Sequence, residues 1–157
     1  MTILVVYYSW KGHTEKVAKE LAVKLGAELA RIEPAGHFNI AVGGMKAFMS
    51  MKAPIAPCRT DLGGIDTLVL ATPVWAGKIP PFVSMYLSLV TNGEGKTCHI
   101  ITERGNHGSD HPITFIRHKL EEKGIHIGHS AVTLEKEVDS GEYLAITGKF
   151  ADEILQS

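Results

Sequence analysis

Short apolar runs alternate along the chain with stretches in which apolar residues return every three or four positions. That rhythm predicts a parallel sheet covered by helices on both faces. Ile3, Leu4, Val5, Val6, Tyr7 and Tyr8 form an unbroken apolar run of strand length, as a strand buried on both sides requires. Val17, Leu21 and Leu25 then recur at spacing four among Lys16, Lys19, Glu20 and Lys24, one apolar stripe on a charged helix. Gly26 ends that helix. A second strand is expected over residues 28–33, broken by Pro34, Ala35 and Gly36. Residues 67–72 form a third strand. Pro80 and Pro81 suit the first turn of a helix running to about Thr91, because the N–H that proline lacks has no intrahelical partner there.

The fourth strand is expected over residues 97–102 and the fifth over 126–134. Between them Asp110 reads as the cap of a helix with Ile113, Ile116 and Leu120 on one face and Gly124 beyond its end. Tyr143, Ile146, Phe150 and Ile154 mark a final helix. Residues 37–62 are less regular: 45–51 have the character of a short helix, and Met45, Phe48, Met49 and Met51 read as core packing rather than a partner surface. Five strands and about five helices result, with no internal repeat.

Composition narrows the picture. A chain of 157 residues with 45% apolar and 21% charged residues is expected to fold as one domain over 1–157, with a core needing no metal or disulfide staple. A formal charge of −1 gives nucleic acid or an anionic membrane nothing to attract. The apolar run at 3–8 is too short to cross a bilayer, and the first residues lack the features of a signal peptide. The expectation is a cytoplasmic protein in which Cys58 and Cys98 are separate thiols.

In open parallel sheets ligands bind beyond the carboxyl ends of the strands, so the residues following Tyr8, Thr72 and Thr102 are the candidates. Ser9, Trp10, Lys11, Gly12, His13 and Thr14 lead from the first strand into the first helix. Backbone N–H groups and the helix dipole favour an anion there, with hydroxyls from Ser9 and Thr14 and charge from Lys11. Simple capping by Ser9 or Thr14 suits the same residues. After the third strand come Thr72, Pro73, Val74, Trp75, Ala76 and Gly77. Trp75 either offers a flat ring a wall or packs beneath its own loop.

The first loop resembles the flavodoxin phosphate loop, Ser/Thr-x-Ser/Thr-Gly-x-Thr: Ser9, Gly12 and Thr14 are in place, and Lys11 stands where a hydroxyl residue is usual. Pro73-Val74-Trp75 followed by Pro80-Pro81 is similar to the second flavin loop of the flavodoxin and NAD(P)H–quinone reductase superfamily. The resemblance implies a flavodoxin-like three-layer αβα sandwich with a five-stranded parallel sheet in the order 2-1-3-4-5. It implies FMN as cofactor. It also implies a third loop, including Glu103, Arg104, Gly105 and Asn106, at the pyrimidine edge of the flavin, where Gly105 and Gly108 permit close backbone approach.

Two further expectations follow from the resemblance. Gly77 would let a second-loop carbonyl turn toward the flavin N5, and Lys11, Lys78 and Arg104 would favour the anionic reduced ring. The leading activity is electron transfer with a redox partner protein. The alternatives are an oxidoreductase of the same fold using NAD(P)H and a small acceptor, and a flavin-free binding or regulatory module. No catalytic residue is assigned, and the oligomeric state stays open. A metal site from His107, Asp110 and His111 is not expected, because a glycine-containing loop is a poor host for one. His126 and His129 read as strand or surface residues. Receiver domains share the topology but need acidic residues where Tyr8 and Ser9 stand.

Overall fold

The computed structural model describes residues 1–36, 52–106 and 108–157. Its strands are β1 (Ile3–Tyr7), β2 (Glu28–Arg31), β3 (Thr67–Pro73), β4 (Thr97–Arg104) and β5 (His126–Leu134). Its helices, among the described residues, are α1 (His13–Leu25), α2 (Pro81–Leu89), α3 (His111–Glu121), α4 (Glu135–Ser140) and α5 (Tyr143–Leu155). The sheet runs β2-β1-β3-β4-β5 with every pair parallel, the order expected.

The unbroken apolar run of β1 serves two cores, because successive side chains leave a strand on opposite faces. Leu4, Val6 and Tyr8 pack with Phe82, Val83 and Tyr86 of α2 and Ile116 and Leu120 of α3. Ile3, Val5 and Tyr7 pack on the other face with Val17 and Leu21 of α1 and Phe150 and Ile154 of α5. The helical stripes at 17/21/25, 113/116/120 and 150/154 are thus the surfaces that close the layers. No helix among the described residues is long and apolar enough to cross a membrane.

Several boundaries move, each for a local reason. β2 stops at Arg31 rather than 33, although the Ile32 N–H still reaches the Tyr7 carbonyl at 2.7 Å. β4 extends two residues to Arg104 because its pairing with β5 continues to Arg104 opposite Leu134. α2 ends at Leu89, where Val90 turns extended. The short α4 was not anticipated: six residues are too few to show a helical period. Asp110 precedes α3, but its side chain makes no cap hydrogen bond and lies 3.9 Å from Arg104 Nη2 instead. The helix expected at 45–51 lies outside the described residues, as does the packing of Met45, Phe48, Met49 and Met51. Cys58 and Cys98 are free thiols.

One irregularity interrupts the sheet. Between Cys98 opposite Ile127 and Ile100 opposite Ser130, β5 carries one residue more than β4, which is a bulge. The buried His99 fills it: its Nδ1 accepts the His129 N–H at 2.9 Å, and its ring stacks on His129 at 5.5 Å between centroids. Gly128 allows this, since a Cβ there would stand 2.5 Å from His99 Cε1. His126 and His129 are exposed on the edge strand, as expected.

Candidate functional site

The carboxyl ends of β1, β3, β4 and β5 bring their following segments to one edge of the sheet. There they enclose a cleft of about 400 Å³ lined by Ser9, Trp10, Lys11, His13, Thr14, Pro73, Val74, Trp75, Ala76, Glu103, Gly105 and Glu135. Most of the candidates from the three loops meet in this one place. Five of them do not line it: Gly12, Thr72, Gly77, Arg104 and Asn106.

The first loop is built to expose the head of α1. Gly12 is the N-cap at φ 97°, and no side chain caps the helix. Only glycine takes that left-handed turn without strain. The helix therefore keeps the donors of its first turn, which have no intrahelical partner, together with the positive end of its dipole. Ser9 does not cap: its Oγ accepts the Gly12 N–H at 3.1 Å, which leaves its own O–H to donate. Arg31 braces the loop from behind, donating to the Ser9 carbonyl at 3.4 Å and to Glu15 at 3.3 Å. Lys11 is exposed and lies 3.6 Å from Glu135 Oε1, with its ammonium 5.8 Å from the Trp10 ring centre.

The second loop presents Trp75 on a tight two-residue turn. The Trp75 N–H donates to the Lys78 carbonyl at 2.7 Å and the Lys78 N–H donates back at 2.9 Å. Ala76 and Gly77 between them sit at φ 48° and 75°. Positive φ at both centres is the hairpin type of turn, and for an alanine it carries about 1–2 kcal/mol of strain. The Trp75 ring meets the buried Tyr8 edge-on at 5.7 Å, and Tyr8 leans on Phe82 at 5.2 Å. Trp75 is thus both part-packed beneath its loop and part of the cleft wall. Burial pushes the Tyr8 phenol up to about 12, so this support stays neutral. Thr72 is buried and donates its hydroxyl to the Pro73 carbonyl, fixing the strand end.

The third segment departs furthest from expectation. Arg104 is buried and faces its own loop, donating to Thr102 Oγ1 at 3.2 Å and to the Gly108 and Ser109 carbonyls at 3.2 and 2.9 Å. Its charge holds the loop instead of lining the cleft. Asn106 is exposed, and His107 lies outside the described residues. Glu103 is the inward-facing member. Burial, with the Glu135 carboxylate nearby, pushes its carboxyl above the ordinary range, while the Thr14 hydroxyl donates to it.

Glu135, at the head of α4, is the lining residue that pattern reading missed. The signal was the strand-end rule itself, applied after β5: Leu134 pairs with Arg104, so the segments beyond these two strands must touch.

No family model matches the sequence, and no curated protein matches it. Solved structures do. A flavoprotein from Lactobacillus acidophilus in complex with FMN superimposes with a TM-score of 0.72 at 19% identity, over 88% of this chain and 97% of that one. The oxidised flavodoxin 2 of Bacillus cereus gives 0.66 at 17% identity over 99% of each chain. The two-electron reduced flavodoxin of Megasphaera elsdenii gives 0.61 at 16% identity over 96% and 98%. At these identities the likeness is one of fold, and the fold is flavodoxin-like.

Proposed function

We propose that this chain binds FMN in the strand-end cleft and acts as a flavodoxin-like electron-transfer protein. The observation that carries the proposal is a pairing across one cleft: the uncapped head of α1 behind a left-handed Gly12 on one side, and the Trp75 ring on the other. The first suits a phosphate, through backbone donors and dipole; the second suits a flat conjugated ring. A flavoprotein of the same fold in complex with FMN supports the reading. When bound, FMN supplies the redox chemistry. This chain's residues grip the phosphate end, shelter one face of the ring, and offer the 76–77 peptide to the ring edge.

Titrating FMN into the purified protein should quench its fluorescence with one equivalent bound. Unchanged fluorescence overturns the proposal. Gly77→Ala should draw the two one-electron reduction steps closer together in a potentiometric titration, because a turning peptide needs the freedom of Gly77. Identical steps in both proteins remove Gly77 from that role. Bleaching of the yellow protein by NADH or NADPH alone would move the assignment from carrier to oxidoreductase.

A further inference from the structure

We propose that His13, Glu103 and Glu135 form a binding site for one divalent first-row cation of the zinc type at the floor of the cleft. Each offers one ligand atom, and these atoms lie within 4.8 Å of one another. Bonds of about 2.0–2.2 Å place ligands around a single ion roughly 3–4 Å apart, so small side-chain rotations close the site.

The argument does not rest on an acidic pair alone. Three buried side-chain polar atoms among the described residues lack a hydrogen-bond partner, and two of them, His13 Nδ1 and Glu103 Oε1, belong to this cluster. Glu103 is only 7% exposed and faces the cleft. A buried polar atom left unsatisfied is costly, and two together call for a shared partner. Neither atom hydrogen-bonds the other in this arrangement. A cation between them satisfies both.

The surroundings match such a site. His13 Nε2 lies 2.9 Å from Asp139 Oδ1, the carboxylate–histidine arrangement that orients a metal-binding imidazole through its far nitrogen. The Glu135 contact with Lys11 is long and solvent-exposed, hence weak and easily exchanged for an ion. One imidazole with two carboxylates favours zinc or its neighbours over calcium or magnesium, which take oxygen ligands. Three protein ligands also leave a coordination position open toward the cleft.

The test uses chelator-treated protein, folded as judged by circular dichroism, titrated calorimetrically with Zn²⁺ alone. One equivalent should bind. Glu103→Gln and His13→Gln should each weaken binding at least about tenfold, and Asp139→Asn about tenfold through the imidazole. His118→Asn removes an exposed histidine–glutamate pair on α3 and should change nothing. Because Glu103→Gln relieves a buried carboxyl, it should fold. Zn²⁺ should then raise the melting temperature of the wild type but not of that variant. Absence of binding, or binding that none of the three substitutions weakens, overturns the site. FMN quenching is measured on the same samples: flavin binding without Zn²⁺ binding removes only this inference, and the converse removes only the flavin proposal.

Discussion

Single positions decide how the cleft is built. Gly12 stands at φ 97°, where a side chain costs about 1–2 kcal/mol, so Gly12→Ala should lower stability by that amount in chemical denaturation. An unchanged midpoint would show that the loop relaxes out of the left-handed turn. Trp75 is expected to act through its ring: Trp75→Ala should weaken FMN binding by about tenfold, since a stacked ring pair adds ~0.5–1.5 kcal/mol beyond burial, and Trp75→Phe should recover most of it. Fluorescence titration reads both variants, and equal affinities would remove Trp75 as a wall. Gly12 and Trp75 could be picked out from the sequence because each is an unusual residue type for its local position. Glu135 could not, and Glu103 entered only through the resemblance that placed its loop. A carboxylate one residue past an expected strand end looks like any surface charge until the sheet register turns it inward.

Elements carry the next level of constraint. The apolar runs and helical stripes specify which faces meet, so strand order and layer arrangement followed from pattern together with the resemblance of two loops. The bulge between β4 and β5 did not, since it depends on His99 replacing a ladder partner with its ring nitrogen. Burial, with His129 beside it, lowers the His99 pKa to about 4, and that has a consequence for stability. The unfolded chain takes up the proton near pH 6.5, whereas the folded chain resists it until about pH 4. Stability is therefore full above the unfolded value and falls as the pH drops through this window, with a slope approaching about 1.4 kcal/mol per pH unit. Denaturation at several pH values should show that slope. A version with His99→Gln, whose amide can also accept the His129 N–H, should flatten it. An equal slope in both proteins would place the effect elsewhere.

At the scale of the whole molecule, charge is nearly balanced, with a formal value of −1. Within the cleft the expected positive charge is offset: Arg104 is committed to its own loop carbonyls, Lys11 is exposed with only a long contact to Glu135, and Glu103 and Glu135 line the floor. The local field is therefore mixed rather than positive, and a net charge of −1 exerts little force from a distance. The midpoint potential of the FMN-loaded protein should accordingly change little when salt is raised past the point where the screening length falls below about 10 Å. A steep dependence would assign the control of the potential to long-range charge.

The sequence by itself determined the layers and the edge where the cleft opens, because hydrophobic period and strand-end glycine and hydroxyl residues are local properties. It also marked the glycine before α1 and the indole of the second loop. Only the tertiary structure decided which charges face the cleft, because a side chain's direction at a strand end depends on register with its neighbour. The fold turned Arg104 toward its own loop, brought Glu135 in from the segment after β5, and set His13 near Glu103 with Nδ1 and Oε1 unpartnered.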